Sequence, residues 1–133
     1  MTRILRLLVG MVLLQLGVVA CGDDNNDNDG SEAQKRGVGA ACNADLPCTE
    51  QGQTCLDFKG GYCGVADCTN NAGCPQGSAC VAHDDGRNYC FLVCVDKPEC
   101  NLTRPPAEEA NCSSSVTFVE DTSARKACVP PSS

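Results

Sequence analysis

Residues 66–94, ADCTNNAGCPQGSACVAHDDGRNYCFLVC, decide the fold. The stretch places four cysteines in the pattern C-x5-C-x5-C-x9-C, from Cys68 to Cys90, and starts the pattern again at Cys94. Similar patterns lie on both sides, and the first cysteines of successive repeats are 26 residues apart twice (68 − 42 and 94 − 68). A fixed period with matching internal spacing indicates tandem duplication. The sequence therefore predicts one four-cysteine unit that occurs three times.

The repeats span residues 38–64, 65–91 and 92–133, and together they form a predicted cysteine-rich domain, 38–133. Each opens with a five-residue loop that contains Asn or Asp and has Pro or Gly near its end, which is typical of turns. The third repeat has longer later loops, as terminal repeats often do. The twelve repeat cysteines are Cys42, Cys48, Cys55, Cys63, Cys68, Cys74, Cys80, Cys90, Cys94, Cys100, Cys112 and Cys128.

Large apolar side chains are sparse after residue 20. The chain has 133 residues and no Trp, and both of its Met residues lie within the first eleven positions. Burial of so little apolar surface cannot offset the ordering entropy of the backbone, so covalent cross-links must supply the difference. The predicted fold class is therefore small and disulfide-rich: three tandem four-cysteine repeats with short β-hairpins and little helix outside the signal peptide.

Residues 1–20 have the pattern of a signal peptide, with a short basic region followed by an apolar run over 7–20. This run is too short for a membrane-spanning helix, which needs about 20 apolar residues. It ends in VVAC at residues 18–21, which resembles the lipobox of bacterial lipoproteins. The resemblance implies that the signal is removed before Cys21, and that Cys21 carries acyl chains such as palmitate on its thiol and its new N-terminus.

The cysteine count agrees with lipidation of Cys21. The chain has 13 Cys, and an odd number in an oxidising compartment needs an explanation. Lipid on Cys21 leaves twelve, which divide into three sets of four; the alternative is ordinary secretion with Cys21 as a plain thiol. In the lipoprotein family an Asp at position 22 tends to retain the protein in the inner membrane. Gly22 therefore implies a lipid anchor in the outer membrane, at the cell surface or facing the periplasm.

Residues 21–37 are predicted to be the lipidated Cys and an acidic, disordered tether. Within it, residues 25–30 resemble the first half of a calcium-binding loop, but the Glu that such a loop needs is Arg36 here. A plain tether is therefore favoured over a calcium site. The net charge is −7, and removal of residues 1–20 with their two Arg makes it −9. This acidity argues against a nucleic-acid partner and against docking on anionic lipid.

A β-hairpin is predicted between the third and fourth cysteines of each repeat, since turn residues separate short runs with strand character. Tyr62 and Tyr89 each precede a cysteine, and their rings are expected to pack over the disulfides; the alternative is an exposed aromatic contact. The predicted strand pairs are 55–56 with 62–63, 80–82 with 88–90, and 116–119 with 126–129.

Disulfide formation is favoured over zinc binding and redox catalysis, because the chain contains no C-x2-C pair. Within each repeat we favour the pairing of first with third and second with fourth cysteine, which ties the opening loop to the hairpin; the other two pairings per repeat stay open. The single His, His83, lies beside two Asp in a predicted turn and is expected to be solvated. No catalytic residue, metal site or cofactor is predicted, and no enzymatic activity.

The spacing C-x5-C-x5-C followed by Tyr-Cys resembles the Dickkopf-type N-terminal cysteine-rich region and, more loosely, EGF-like modules, over residues 42–100. Similar repeats occur in cysteine-rich bacterial surface lipoproteins. The resemblance implies an extracellular, disulfide-knit binding or scaffold module.

The predicted function is surface interaction: adhesion, ligand capture or envelope structure. The membrane would be reached through the lipid, and the partner would be an unknown protein or glycan. Candidate contact loops are Asp57–Gly61, His83–Asn88 and Arg104–Asn111. The alternative function is inhibition of an extracellular hydrolase by the loop that holds Pro105 and Pro106, with Arg104 as the contact residue.

Overall fold

The structure is a computed structural model that describes residues 37–120 and 125–133. The predicted signal peptide, the lipidation site Cys21 and the tether before Gly37 lie outside the described residues. Within the described part of the chain, no helix has the length and apolarity needed to cross a bilayer.

Short antiparallel strands and 3-10 turns make up the regular structure of the described residues, and no α-helix occurs among them. Six disulfides cross-link these elements, so the predicted small disulfide-rich fold is confirmed. The 3-10 helices are Asn71–Gly73, Pro98–Asn101 and Pro106–Glu108. The strands are β1 (Thr54–Leu56), β2 (Tyr62–Gly64), β3 (Ser78–Ala82), β4 (Asn88–Cys94), β5 (Asn111–Ser113), β6 (Thr117–Phe118) and β7 (Lys126–Val129).

The third and fourth cysteines of every repeat lie directly opposite each other across an antiparallel strand pair. They are not bonded to each other; each instead bonds a cysteine at one end of the opening loop, which fastens that loop across both strands of the hairpin. This is the pairing that the sequence analysis favoured. The bonds are Cys42–Cys55, Cys48–Cys63, Cys68–Cys80, Cys74–Cys90, Cys94–Cys112 and Cys100–Cys128.

The hairpin predicted for the third repeat, 116–119 with 126–129, is wrong. β7 pairs with β5 and β4, whereas β6 leaves its own repeat and pairs with β3 of the second repeat. The backbone groups on the outer edge of β3 need hydrogen-bond partners, and the segment around β6 supplies them. The N–H of Val119 donates to the Cys80 carbonyl at 2.9 Å, and the Glu120 carboxylate accepts the N–H of Asn71 at 2.6 Å.

The second and third repeats share one five-stranded sheet in the order β5-β7-β4-β3-β6, while β1 and β2 form a separate pair. β4 lies at the centre of the larger sheet. The linker from the first repeat runs beside it, because the N–H of Cys90 donates to Val65 O at 2.9 Å and the N–H of Asp67 donates to Asn88 O at 2.7 Å. The three repeats therefore pack against one another and do not form three independent units.

A single hydrophobic cluster joins the repeats, and aromatic rings form its centre. Tyr62 and Phe91 are fully buried, with ring centroids 5.3 Å apart in an edge-on arrangement. Tyr89 is 4% exposed and stacks on Phe91 at 5.8 Å. The rings of both tyrosines thus pack against other aromatic rings, in a cluster that also contains the half-cystines Cys94, Cys100 and Cys128. The alternative of an exposed aromatic contact was wrong.

The Tyr62 hydroxyl also fastens β4, since it accepts the backbone N–H of Leu92 at 3.0 Å. Burial raises the pKa of the Tyr62 phenol well above its ordinary value. We expect Tyr62→Phe to lower the free energy of unfolding by about 1–2 kcal/mol, because it leaves a buried N–H unpaired. Tyr89→Phe is the matched control and should cost only about 0.5 kcal/mol, since its hydroxyl bonds an exposed carboxylate. Urea unfolding with intact disulfides measures both; equal losses would contradict the assignment.

Candidate interaction surface

In the structure the first predicted contact loop touches both of the others, so the three loops lie next to one another. The ring of Phe58 in the first loop lies 5.3 Å from that of His83 in the second. Arg104 of the third loop donates to the carbonyls of Lys59 and Gly61, at 3.0 and 2.8 Å. We call this surface, formed by residues 57–61, 83–88 and 104–111, the three-loop face.

Two glycines allow the first loop to lie this close to its neighbours. Gly60 and Gly61 have φ angles of +77° and +67°, in the left-handed region that favours glycine. A Cβ on Gly61 would overlap the backbone of Cys42, and a Cβ on Gly60 would overlap the side chain of Glu108. A side chain at Gly61 would therefore clash within the first repeat, and one at Gly60 would displace Glu108 of the third repeat.

The tip of the β3–β4 hairpin carries a hydrogen-bonded network around Asp85. This carboxylate accepts the hydroxyl of Tyr89 at 2.7 Å and the backbone N–H of Arg87 at 2.9 Å, and it lies 3.3 Å from Nδ1 of His83. The Tyr89 hydrogen bond is the main reason that the pKa of Asp85 lies below its ordinary value. Both Asp85 and Arg87 are exposed, so the tip presents opposite charges in a fixed arrangement.

His83 is not the solvated turn residue that the sequence led us to expect. Its side chain is 17% exposed. The imidazole packs edge-on against Phe58, Tyr89 and Phe91, with centroids 5.3, 5.7 and 6.1 Å away. The histidine therefore closes the outer end of the aromatic cluster and links it to the hairpin tip.

Arg87 fastens the linker between the first and second repeats to the hairpin. It donates from Nε and Nη2 to the two carboxylate oxygens of Asp67, at 3.1 and 2.8 Å. This bidentate contact lowers the pKa of Asp67 and raises that of Arg87. Both groups are exposed, so the pair contributes little to stability and serves to fix geometry. Asp67 has a φ of 60°, which is uncommon for a residue with a side chain.

Arg104, expected from the sequence to be an exposed contact residue, is 6% exposed. Its guanidinium donates to four backbone carbonyls: Glu108 at 2.7 Å within its own loop, and Gly39, Lys59 and Gly61 of the first repeat at 3.3, 3.0 and 2.8 Å. Burial lowers the pKa of Arg104. The prediction of a contact role was wrong, since the side chain instead links the third repeat to the first by hydrogen bonds.

A groove of about 520 Å³ lies between the first and third repeats and opens beside the three-loop face. Its rim includes Leu46, which is 59% exposed. The loop that carries Leu46 is held by Asn43, whose Oδ1 accepts the N–H groups of Asp45 and Leu46, both at 2.9 Å. We call it the 1–3 groove; its lining is Ala41, Cys42, Asn43, Leu46, Gly60, Gly61, Thr103, Pro105 and Glu108.

Sequence analysis did not single out Leu46. The available signal was the Asn three residues before it, which is typical of a turn that caps its own backbone and leaves the following side chain outside. A second groove, of about 510 Å³, lies between the first and second repeats and is lined by residues 50–53, Val65 and 72–75. Gly37, where the described chain begins, lies next to Glu50 at this second groove.

Among the described residues, each repeat has one group of three cysteine sulfur atoms that lie within 4.8 Å of one another. Each group contains the first, second and fourth cysteine of its repeat. All of these sulfurs are in disulfide bonds, so none is a thiolate that could bind a metal ion in this state.

Comparison with known proteins found no matching family model, no matching curated protein and no matching solved structure. The structure alone therefore defines the fold class of this protein. The protein is a small disulfide-rich protein with antiparallel hairpins and six disulfides.

Proposed function

We propose that the protein is a lipid-anchored binding module at the surface of a bacterial outer membrane and has no enzymatic activity. The three-loop face would contact a protein or glycan partner, in adhesion, ligand capture or envelope structure. The observation that carries this proposal is the contiguity of three loops on a scaffold cross-linked within every repeat. Loops that are already ordered lose little conformational entropy on binding, so such a face is well suited to recognition.

The anchor follows from the sequence alone. Acylation of Cys21 in the VVAC motif would place two or three acyl chains in the membrane, which is enough for lasting attachment. Labelling of the protein with a palmitate analogue in a bacterial host tests this, with Cys21→Ser as the control. We expect the label and the membrane fraction to be lost together in the variant. A labelled Cys21→Ser protein would rule out the assigned acylation site.

Binding by the three-loop face is tested with cells that display the protein on immobilised extracellular proteins and glycans. The face variant Asp84→Lys/Ala107→Arg changes two exposed residues of the second and third loops. The control variant Glu50→Lys/Gln76→Arg alters charge by the same amount at exposed positions outside the face. We expect loss of attachment in the first variant alone. Equal attachment by both variants and the wild type would exclude the three-loop face as the contact surface.

Inhibition of an extracellular hydrolase remains the alternative proposal. Because Arg104 is buried, an inhibitory contact would have to use the exposed part of the same loop, residues 105–107. Assays of several hydrolases with the purified protein test it. Inhibition that disappears in Ala107→Arg, but not in Gln76→Arg, would favour the alternative over adhesion.

A further inference from the structure

We propose that the 1–3 groove binds a peptide segment in which a Lys or Arg lies next to an aliphatic residue or proline. This inference deepens the proposed binding function and rests on it. The groove and the three-loop face share Gly60, Gly61, Pro105 and Glu108, so a ligand that reaches the face can also enter the groove.

The rim of the 1–3 groove presents apolar groups to solvent. Leu46 is 59% exposed although the Asn43 turn holds its backbone in place. Pro105 is exposed on the other side of the groove, and Ala41 is half-buried. A partner that covers these groups removes apolar surface from water without having to order a flexible loop first. An aliphatic side chain or a proline ring is the group that fits such a rim.

The charged group in the lining of the groove is the Glu108 carboxylate, which lies over Gly60. The backbone of Glu108 is engaged, since its N–H donates to Pro105 O at 2.9 Å and its carbonyl accepts Arg104 Nε. Its half-buried carboxylate has no hydrogen-bond or ion-pair partner among residues 37–120 and 125–133. The neighbouring Glu109, in contrast, pairs with Lys97 at 2.5 Å.

No cation in the lining of the groove satisfies this carboxylate. The charge of Arg104 is close enough to interact with the Glu108 carboxylate, but its bonded N–H groups donate to backbone carbonyls and not to that carboxylate. Asp45, which is exposed on the same turn as Leu46, adds a second negative charge near the rim. The chain as a whole carries −7, which would attract a basic ligand at long range. Charge complementarity therefore selects a ligand with a Lys or Arg.

The size and shape of the groove favour a peptide over a small metabolite. A volume of about 520 Å³ lies within the range of ligand sites, and the groove is partly open and lined by residues of two repeats. Gly60 and Gly61 in the lining carry no side chains of their own, and the Glu108 side chain packs directly over Gly60. A few consecutive residues of a peptide would fill it, with the cation at Glu108 and the apolar group at Leu46.

The test uses the exported protein, purified in a non-ionic detergent with its disulfides intact. The probe is a fluorescein-labelled peptide, GKLPGKLPG, and the matched peptide has Glu in place of each Lys. We expect the Lys peptide alone to raise the anisotropy. Glu108→Gln should weaken its binding about tenfold, because one charge-assisted contact is lost. Leu46→Ser should weaken it about fivefold. The controls Glu50→Gln and Val95→Ser should leave the affinity unchanged.

Carbodiimide cross-linking then locates the peptide. The reagent joins a carboxylate of the protein to the Lys amine of the peptide as an amide and takes up the water that is released. We expect the main cross-link at Glu108, as identified by mass spectrometry. Equal cross-linking of exposed carboxylates such as Asp57 and Asp84, or equal binding of the Glu peptide, would overturn the proposal. Attachment that survives Glu108→Gln but not the three-loop face variant would reject the groove ligand and retain the binding function.

Discussion

Replacement of Arg104 by methionine is expected to lower the free energy of unfolding by about 3 kcal/mol, because four buried or partly buried carbonyls lose their donor at once. The guanidinium is the shared partner of Gly39, Lys59, Gly61 and Glu108, and no other described donor contacts these four oxygens through a side chain. Methionine keeps an unbranched apolar stem as far as the position of the arginine Nε. The loss should therefore report on hydrogen bonds more than on a cavity.

Two further variants separate the network from a general effect of charge. Arg104→Lys keeps the charge but cannot reach carbonyls in the fixed fork geometry of a guanidinium, so we expect it to recover less than half of the loss. Arg125→Met removes an exposed cation and should change stability by less than about 0.5 kcal/mol. Urea unfolding of disulfide-intact proteins gives the comparison. A methionine variant as stable as the wild type would show that the carbonyls find water or new partners.

The features that the sequence predicted correctly are local. Cys80 and Cys90 end up opposite each other because nine residues between them suffice for two short strands and a turn with Asp85-Gly86 at its tip. The same reasoning holds for Cys55 and Cys63 around two glycines. The pairing of first with third and second with fourth cysteine was favoured from the sequence but not determined by it, and the structure shows that pairing in all three repeats.

The third repeat could not be predicted in the same way, because its last loop is long enough to leave the repeat. The segment over 116–119 has strand character, but its partner is β3, about 36 residues earlier in the chain. The residue pattern of a segment predicts whether it forms a strand, but it does not predict which distant strand edge that segment will pair with. The Glu120 contact with Asn71 belongs to the same non-local docking.

The candidate site shows the same limit at the level of single residues. Arg104 and His83 are residue types that usually lie at the surface, and the sequence analysis placed both of them there. Arg104 is buried and His83 is half-buried because groups from the first repeat pack on them: three carbonyls on Arg104 and the Phe58 ring on His83. The contact of the first predicted loop with the other two could not be seen in the sequence, because it depends on the fold.

Reduction of the disulfides is expected to unfold the domain completely at neutral pH. Among the described residues, eight of the nineteen buried hydrophobic residues are half-cystines, so little apolar core would remain to hold the reduced chain. Each disulfide contributes on the order of 3 kcal/mol by restricting the unfolded chain. Loss of only a few would exceed the stability of about 5–15 kcal/mol that small domains possess.

The cleanest measurement compares amide NMR spectra before and after reduction and alkylation. We expect collapse of the amide dispersion, with twelve newly accessible repeat thiols, whereas treatment with a metal chelator alone should leave the spectrum unchanged because the sulfurs are already bonded. The double variant Cys100→Ala/Cys128→Ala removes a single disulfide and so tests the contribution of one cross-link. That bond closes the longest loop of the six, with a sequence separation of 28. Its removal should cost about 3.5 kcal/mol. A reduced chain that kept its native dispersion would show that the core, and not the cross-links, determines the fold.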